Sequence, residues 1–178
     1  MNKFKTIVWD VDDVLYPFSA FIPEINSLEN KMSKEDYLDI LDEFRLNTQL
    51  DSEPFHDVLN WFKKYGGQYR HIAITACPLH LIPLSSTWVF TFFRKWIRTI
   101  SIIPSKRKYY SCIVYDESKL DFIKNNNINC DLFIDDNINT INEMEKAGYK
   151  TLLFPTPMNN NNLSIKTTLK KIKEIIEG

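Results

Sequence analysis

Ile7-Val8-Trp9-Asp10-Val11-Asp12-Asp13-Val14-Leu15 is an apolar run that meets three carboxylates. A short apolar run of this kind predicts a buried strand. Carboxylates crowded at the end of such a strand repel one another, so the pattern asks for a cation or another positive group nearby. A second run, Cys130-Asp131-Leu132-Phe133-Ile134, ends the same way in Asp135-Asp136. In an open α/β sheet the carboxyl ends of parallel strands meet at one edge, where ligands bind. Two acidic strand ends therefore predict one acidic cleft.

Around these ends, strand-like and helix-like segments alternate, which argues for a parallel sheet with helices on both faces. The reading places a strand at 5–10, a helix from Phe55 to Tyr65 that follows Pro54 and stops at Gly66-Gly67, and a strand from His71 to Thr75. A helix capped by Ser85 or Ser86 runs to Arg98, with Trp88, Phe92, Trp96 and Val89, Phe93, Ile97 as adjacent i, i+4 stripes of core packing. Ser111 to Tyr115 is strand-like, Lys119 to Asn126 helical, and 131–134 a strand. Ile138 to Ala147 reads as a helix stopped by Gly148, and Thr151 to Phe154 as the last strand. Ile165, Leu169, Ile172 and Ile176 mark one face of a closing helix.

Residues 16–53 break this rhythm. Phe18, Phe21, Ile22, Ile25 and Leu28, then Tyr37, Leu38, Leu41 and Phe44, recur at helical spacing, which predicts a small helical cap over the acidic edge. The expected division is a core of 1–15 and 54–178 with a cap of 16–53.

Composition narrows the class. A chain of 178 residues suits one domain with a modest insertion, and 44% hydrophobic with 25% charged residues is unlike a disordered segment. No apolar stretch reaches the length of a membrane span, and Met1-Asn2-Lys3-Phe4-Lys5 lacks a secretory apolar region, so a cytoplasmic protein without a membrane partner is expected. The formal net charge of -1 gives no general attraction to nucleic acid, so no stable nucleic-acid partner is expected. Arg94, Lys95 and Arg98, and Lys106, Arg107 and Lys108, read as solvated faces. Cys77, Cys112 and Cys130 are odd in number and widely spaced, which suits packed thiols rather than a disulfide frame or a zinc site. His56, His71 and His80 lack metal-ligand spacing.

Four elements carry chemistry in chain order: Asp10 with Asp12, Thr75, Lys119, and Asp135 with Asp136. Alternate side chains of an extended segment share a face, so Asp10 and Asp12 point together, one to attack phosphorus and the other to move a proton. A carboxylate attacking a phosphate dianion meets strong repulsion, which a hard cation such as Mg²⁺ with oxygen ligands relieves. Asp135 and Asp136 add charge for that cation. Thr75 offers a hydroxyl to a phosphate oxygen, helped by backbone N–H groups just past the strand. Lys119, after Asp116-Glu117-Ser118, neutralises the phosphoryl oxygens and the aspartates beside it. Lys106 and Lys108 follow another strand-like run, Thr99 to Ile103, and are the alternatives for this lysine; spacing to Asp135 favours Lys119.

This ordered set resembles the haloacid dehalogenase superfamily of phosphotransferases. The resemblance rests on Ile7 to Leu15, on Ile72-Ala73-Ile74-Thr75, on Lys119 and on Leu132-Phe133-Ile134-Asp135-Asp136, and covers the chain apart from the cap and last helix. It implies a doubly wound parallel sheet with a helical cap inserted after the first strand. Asp10 would be the nucleophile that forms an aspartyl-phosphate, and Asp12 the acid toward the leaving group and then the base toward water. Mg²⁺ would take the Asp10 carboxylate, the Asp12 backbone carbonyl and the Asp136 carboxylate, with Asp135 beside it and hydrogen-bonded to Lys119.

Within that superfamily the chain looks most like the C-type 5'-nucleotidases that hydrolyse deoxyribonucleoside monophosphates. Shared features are Asp-Val-Asp-Asp-Val-Leu at 10–15, a short cap, Asp-Leu-Phe-Ile-Asp-Asp at 131–136, and Phe18, whose counterpart stacks on the base. The implied substrate-binding residues are Phe18, Thr75, Ala76 and Lys119, and the implied partner is a small phosphorylated substrate, a nucleotide. The chain departs from the family where Thr-Ser becomes Thr75-Ala76 and where the arginine two places before the lysine becomes Glu117. Another small phosphate ester or a 3'-phosphorylated nucleic-acid end is the alternative substrate. A receiver-like regulatory protein would open on its acidic pair and carry the phospho-accepting Asp on a middle strand; here Asp-x-Asp opens the chain and the middle strand ends in Thr75. A phosphoryl-binding or regulatory protein that keeps the site without turnover is the non-enzyme alternative, which an assay separates and against which the presence of both Asp10 and Asp12 argues.

Overall fold

The strand Thr6–Asp10 (β1) is buried along its whole length, as its unbroken apolar run requires of a strand covered on both faces. In the computed structural model, which describes residues 4–21, 31–105 and 113–178, β1 is the centre of a five-stranded parallel sheet. On one side lie β2 (Arg70–Cys77) and β3 (Ile97–Pro104), and on the other β4 (Leu132–Asp135) and β5 (Thr151–Leu153), giving the order β3-β2-β1-β4-β5. The register joins Ile7 to His71 on one flank and to Leu132 on the other. The chain builds outward from β1 to β3 and then crosses to β4, so the strand order reverses between β1 and β4. Asp10 and Asp135, the last residues of those two strands, flank the reversal, where an open α/β sheet offers its binding crevice.

Among the described residues the α-helices are α1 (Lys34–Thr48), α2 (His56–Tyr65), α3 (Ile82–Phe93), α4 (Lys119–Asn125), α5 (Ile138–Lys146) and α6 (Ile165–Glu177). Strand alternation splits the core in two. Ile7 and Trp9 join Phe62 of α2, Trp88 and Phe93 of α3 and Ile172 of α6 in one cluster. Val8, Ile72, Ile74 and Phe133 join Ile123 of α4 and Met144 of α5 in the other. Trp9 Nε1 donates to His71 Nδ1 at 3.0 Å, and His71 Nε2 lies 2.8 Å from the Gly66 carbonyl. Burial pushes the imidazole pKa down to about 4, so His71 is a neutral bridge between Trp9 and Gly66. Among the described residues no helix is long and apolar enough to cross a membrane.

Two sequence expectations are corrected here. The helix expected to start at Ser85 or Ser86 and reach Arg98 runs from Ile82, with Pro83 in its first turn, to Phe93, and Ile97 and Arg98 open β3. The i, i+4 stripe misleads because Phe93 and Ile97 pack in one cluster although they belong to different elements. The β-branched series Ile97, Thr99, Ile100, Ile102, Ile103 supplies the third strand, whereas 113–115 form none; Ser111 and Cys112 lie outside the described residues. The helix expected to stop at Gly66-Gly67 does end at Tyr65, with Gly66 as its cap, right-handed at φ -58 and continuing into a 3-10 turn over Gly66–Gln68; Gly148, at φ 88, is a left-handed stop.

In the segment expected to form the cap, 3-10 turns cover Ser19–Phe21 and Gln49–Asp51, and α1 is capped by Ser33, whose Oγ accepts from Asp36 N at 3.1 Å. Ile22, Ile25 and Leu28 lie outside the described residues. The buried positions of α1 are Tyr37, Asp42 and Arg45, while Leu38, Leu41 and Phe44 are half-buried. This helix thus turns a polar stripe inward, contrary to its apolar reading.

Gly66 is required by a close approach. An added Cβ would lie 2.8 Å from Trp96 Cδ1 and 3.1 Å from Phe62 Cδ1, whereas Gly67 has nothing within 4 Å. In a right-handed conformation Gly→Ala alone stabilises by about 0.4–1 kcal/mol, but overpacking costs about 1–3 kcal/mol. Gly66→Ala is therefore expected to lower Tm while Gly67→Ala leaves it unchanged or slightly raised, measured by thermal unfolding.

Candidate active site

Lys119 is the first residue of α4, and its helix start is set by Ser118, whose Oγ accepts from Asp121 N at 3.1 Å. This places the ammonium between the two strand ends. Nζ lies 2.7 Å from Asp10 Oδ1 and 2.7 Å from Asp135 Oδ2. Burial alone pulls the lysine pKa down, but the two carboxylates outweigh it and hold Lys119 above its ordinary value. Lys106 and Lys108, the alternatives, lie outside the described residues.

The other Asp135 oxygen, Oδ1, accepts from Asn137 N at 2.8 Å, so both oxygens of this fully buried group are engaged. Asp10 Oδ1 also accepts from Val11 N at 2.8 Å, which leaves Oδ2 outside these contacts. Burial pushes Asp10 well above the usual carboxylate range; Lys119 opposes this, and Asp135, Asp12 and Asp136 reinforce it. Asp136, beyond the end of β4, is raised to about 7 by burial, then by Asp135 and Asp13. Asp13, in a left-handed turn at φ 59, is raised to about 6 chiefly by burial while its Oδ1 accepts from Ser19 N at 2.6 Å.

One ligand oxygen from each of Asp10, Asp135 and Asp136 lies within 4.8 Å of the others. At an effective dielectric of 20, two unit charges about 4 Å apart repel by about 4 kcal/mol. Lys119 offsets part of this. The remainder is relieved by protonation or by a hard divalent cation, for which an all-oxygen donor set is suited. Asp10 and Asp136 are the residues placed to hold one, since both oxygens of Asp135 are already taken.

Asp12 stands apart from this trio. Its Oδ2 accepts from Thr75 Oγ1 at 3.1 Å and from Arg45 Nη1 at 3.1 Å, and its Oδ1 lies 2.7 Å from Arg45 Nη2. Thr75 is not at a strand end: β2 continues to Cys77, paired with β3 as far as Pro104. On the flank facing β1 the pairing of β2 ends at Ile74, and the buried Thr75 hydroxyl is given to Asp12. Exposed Ala76 lines a cavity of about 350 Å³ with Asp10, Asp12, Lys119 and Asp136. Phe18 is not among the described residues that line it; it is half-buried, 6.0 Å from the Tyr16 ring.

Arg45 is the residue that sequence reasoning missed. It lies i+4 from Leu41 and i+7 from Leu38, on the side of that apolar stripe, and is 5% exposed. A signal existed: Asp42, Arg45 and Gln49 recur at i, i+3, i+7 along one face. Cys77 is buried with its thiol pushed up to about 11 by burial, as a packed thiol should be, and Cys112 lies outside the described residues. A larger groove, about 550 Å³, is lined by Trp61, Tyr69, Lys64, Lys166 and Lys170 of α2, α6 and their flank, and contains none of the expected site residues.

No protein-family model and no curated protein matches the sequence. Solved structures do match. The magnesium-bound HAD-hydrolase YfnB of Bacillus subtilis superposes with a TM-score of 0.63 at 13% identity over 99% of this chain and 100% of that one. A haloacid dehalogenase-like family hydrolase from Xanthomonas campestris gives 0.64 at 8% identity over 98% and 96%. A hydrolase from Streptococcus pneumoniae gives 0.54 at 18% identity over 88% and 96%. The chain therefore has the α/β fold of haloacid dehalogenase-like hydrolases.

The acidic cluster has a thermodynamic consequence. Asp13 and Asp136, with folded pKa values of about 6 and 7, hold protons that the unfolded chain releases near the ordinary 3.8. Between these values the folded state binds more protons, so stability present at low pH is lost as pH rises through 6 and 7. Without divalent cations Tm is expected to fall between pH 5 and pH 7.5, and Asp136→Asn to shrink that fall. A divalent cation should raise Tm more at pH 7.5 than at pH 5, as measured by scanning calorimetry.

Proposed function

We propose that the protein is a Mg²⁺-dependent phosphomonoester hydrolase acting through an aspartyl-phosphate at Asp10, with (deoxy)nucleoside monophosphates as its substrate class. The observation that carries this is Lys119 held 2.7 Å from both Asp10 and Asp135 at the reversal of strand order, with Asp136 alongside. Mg²⁺ would be held by the Asp10 and Asp136 carboxylates and the Asp12 backbone carbonyl, and supplies charge neutralisation between nucleophile and phosphate. The fold shared with a magnesium-bound hydrolase supports this choice.

In the first step an Asp10 oxygen bonds to phosphorus, the bond from phosphorus to the ester oxygen breaks, and Asp12 gives that oxygen its proton. In the second, water attacks phosphorus, its proton passes to Asp12, and the bond from Asp10 to phosphorus breaks to release phosphate. Lys119 neutralises charge on the phosphoryl oxygens and Asp135 positions Lys119. The Thr75 hydroxyl, now on Asp12, is the donor a phosphoryl oxygen would compete for. Residues 16–53 form a cap that selects the leaving group, over a core of 1–15 and 54–178. The working location is the cytoplasm.

The nucleotide reading rests on the Asp10–Leu15 and Asp131–Asp136 motifs and on Phe18 as base platform. A specific observation favours a second reading, a phosphatase for another small ester: Phe18 packs on Tyr16 with the Arg45 guanidinium 5.7 Å from its ring centroid.

Phosphate release in Mg²⁺ across nucleoside monophosphates, sugar phosphates, phosphorylated amino acids and 3'-phosphorylated oligonucleotides tests both readings. Turnover is expected to vanish with EDTA and in folded Asp10→Asn, and to fall about 10²–10⁴-fold in Asp12→Asn. Full activity in chelator or in Asp10→Asn would defeat the proposal. Phe18→Ala is expected to raise KM for a nucleoside monophosphate by about 1–3 kcal/mol, one stacking contact, with little change for a small ester lacking a ring. Equal losses on both would leave only the second reading.

A further inference from the structure

Arg45 lies outside the 350 Å³ cavity, while Asp12, its partner, lines it. The Asp12 side chain is 22% exposed and that of Arg45 6%. The arginine therefore stands behind the aspartate and meets the cavity only through it. Each of its three nitrogens has a partner within the protein. Nε donates to Gln49 Oε1 at 2.9 Å, Nη1 to Asp12 Oδ2 at 3.1 Å, and Nη2 to Ser85 Oγ at 3.0 Å while lying 2.7 Å from Asp12 Oδ1. The guanidinium carbon sits 5.7 Å from the ring centroids of both Tyr16 and Phe18.

We propose that Arg45 is a positioning residue for the proposed phosphatase reaction, fixing the Asp12 carboxylate in the orientation that proton transfer needs. The inference rests on the role given to Asp12 above. A carboxylate at the end of a short side chain rotates unless both oxygens are held, and a guanidinium fork reaches both at once in a way an ammonium cannot. Here the fork is itself held from two sides, by Gln49 after α1 and by Ser85 in α3. Thr75 grips Asp12 from β2. Asp12 is thereby held between β2 and α1.

A structural brace alone would leave turnover intact in any variant that folds. Positioning predicts otherwise, because misplacing a reacting group by about 1 Å costs about 10²-fold in rate. Arg45→Ala is expected to lower kcat by about that factor with KM nearly unchanged, Arg45→Lys to fall between it and wild type, and added guanidinium ion to restore part of kcat in Arg45→Ala but none in Lys119→Ala. In an Asp12→Asn background Arg45→Ala should cost little more, since the two act as a unit. If Arg45→Ala does not fold, Ser85→Ala and Gln49→Leu loosen the fork and should each lower kcat with KM unchanged. Unchanged kcat in the folded variants overturns the inference, as does a raised KM with kcat retained, which would place Arg45 on the substrate. These results count when wild type releases phosphate and Asp10→Asn does not; a wild type inactive on every ester overturns the phosphatase reading, and the positioning role falls with it.

Discussion

An ammonium group wedged between two buried carboxylates organises this molecule. Lys119 touches Asp10 at the end of β1 and Asp135 at the end of β4, two adjacent strands that the chain reaches far apart in sequence. Without that cation, two strands would bring buried like charges side by side, where repulsion is weakly screened. With it, the central strands can run to their carboxylates side by side. One cation stands among Asp10, Asp135 and Asp136, and burial first, then the neighbouring carboxylates, raises the pKa values of Asp10 and Asp136. A site with one lysine and an oxygen-lined surplus invites a hard cation and a phosphoryl group together.

Asp12 belongs to a different electrostatic compartment. It is paired with Arg45 and Thr75 rather than with Lys119, so the two carboxylates of the Asp-x-Asp motif are held by separate partners. In the reaction proposed above, environment more than residue type would divide the nucleophile from the proton carrier. The division is built by the turn after β1, where Leu15 and Tyr16 N–H groups both return to the Val11 carbonyl and Asp13 takes a left-handed conformation. That turn leads the chain out toward α1, from which Arg45 reaches back.

Much of the fold was legible because β1 and β4 are covered on both faces and therefore read as unbroken apolar runs. Helices α5 and α6 were legible from their periodicity, and Gly148 from its left-handed role. A stripe of apolar residues reports that side chains meet one core, not that one element carries them, so Phe93 and Ile97 looked like successive turns of a helix. Gly66 reads as a stop and is one, while its smallness also answers to Trp96, thirty positions away in the chain.

The sequence by itself determined the acidic strand ends, their order along the chain and the lysine ahead of the fourth run, because these features depend on local hydrophobicity and spacing. Tertiary structure alone decided who holds whom. That Lys119 bridges Asp10 and Asp135, that Thr75 turns to Asp12, and that Arg45 is buried against it are matters of distance between segments brought together by strand pairing and helix docking. Charge on a side chain is visible in sequence; the partner that makes burial of that charge tolerable is a neighbour in space, and only the folded chain supplies it.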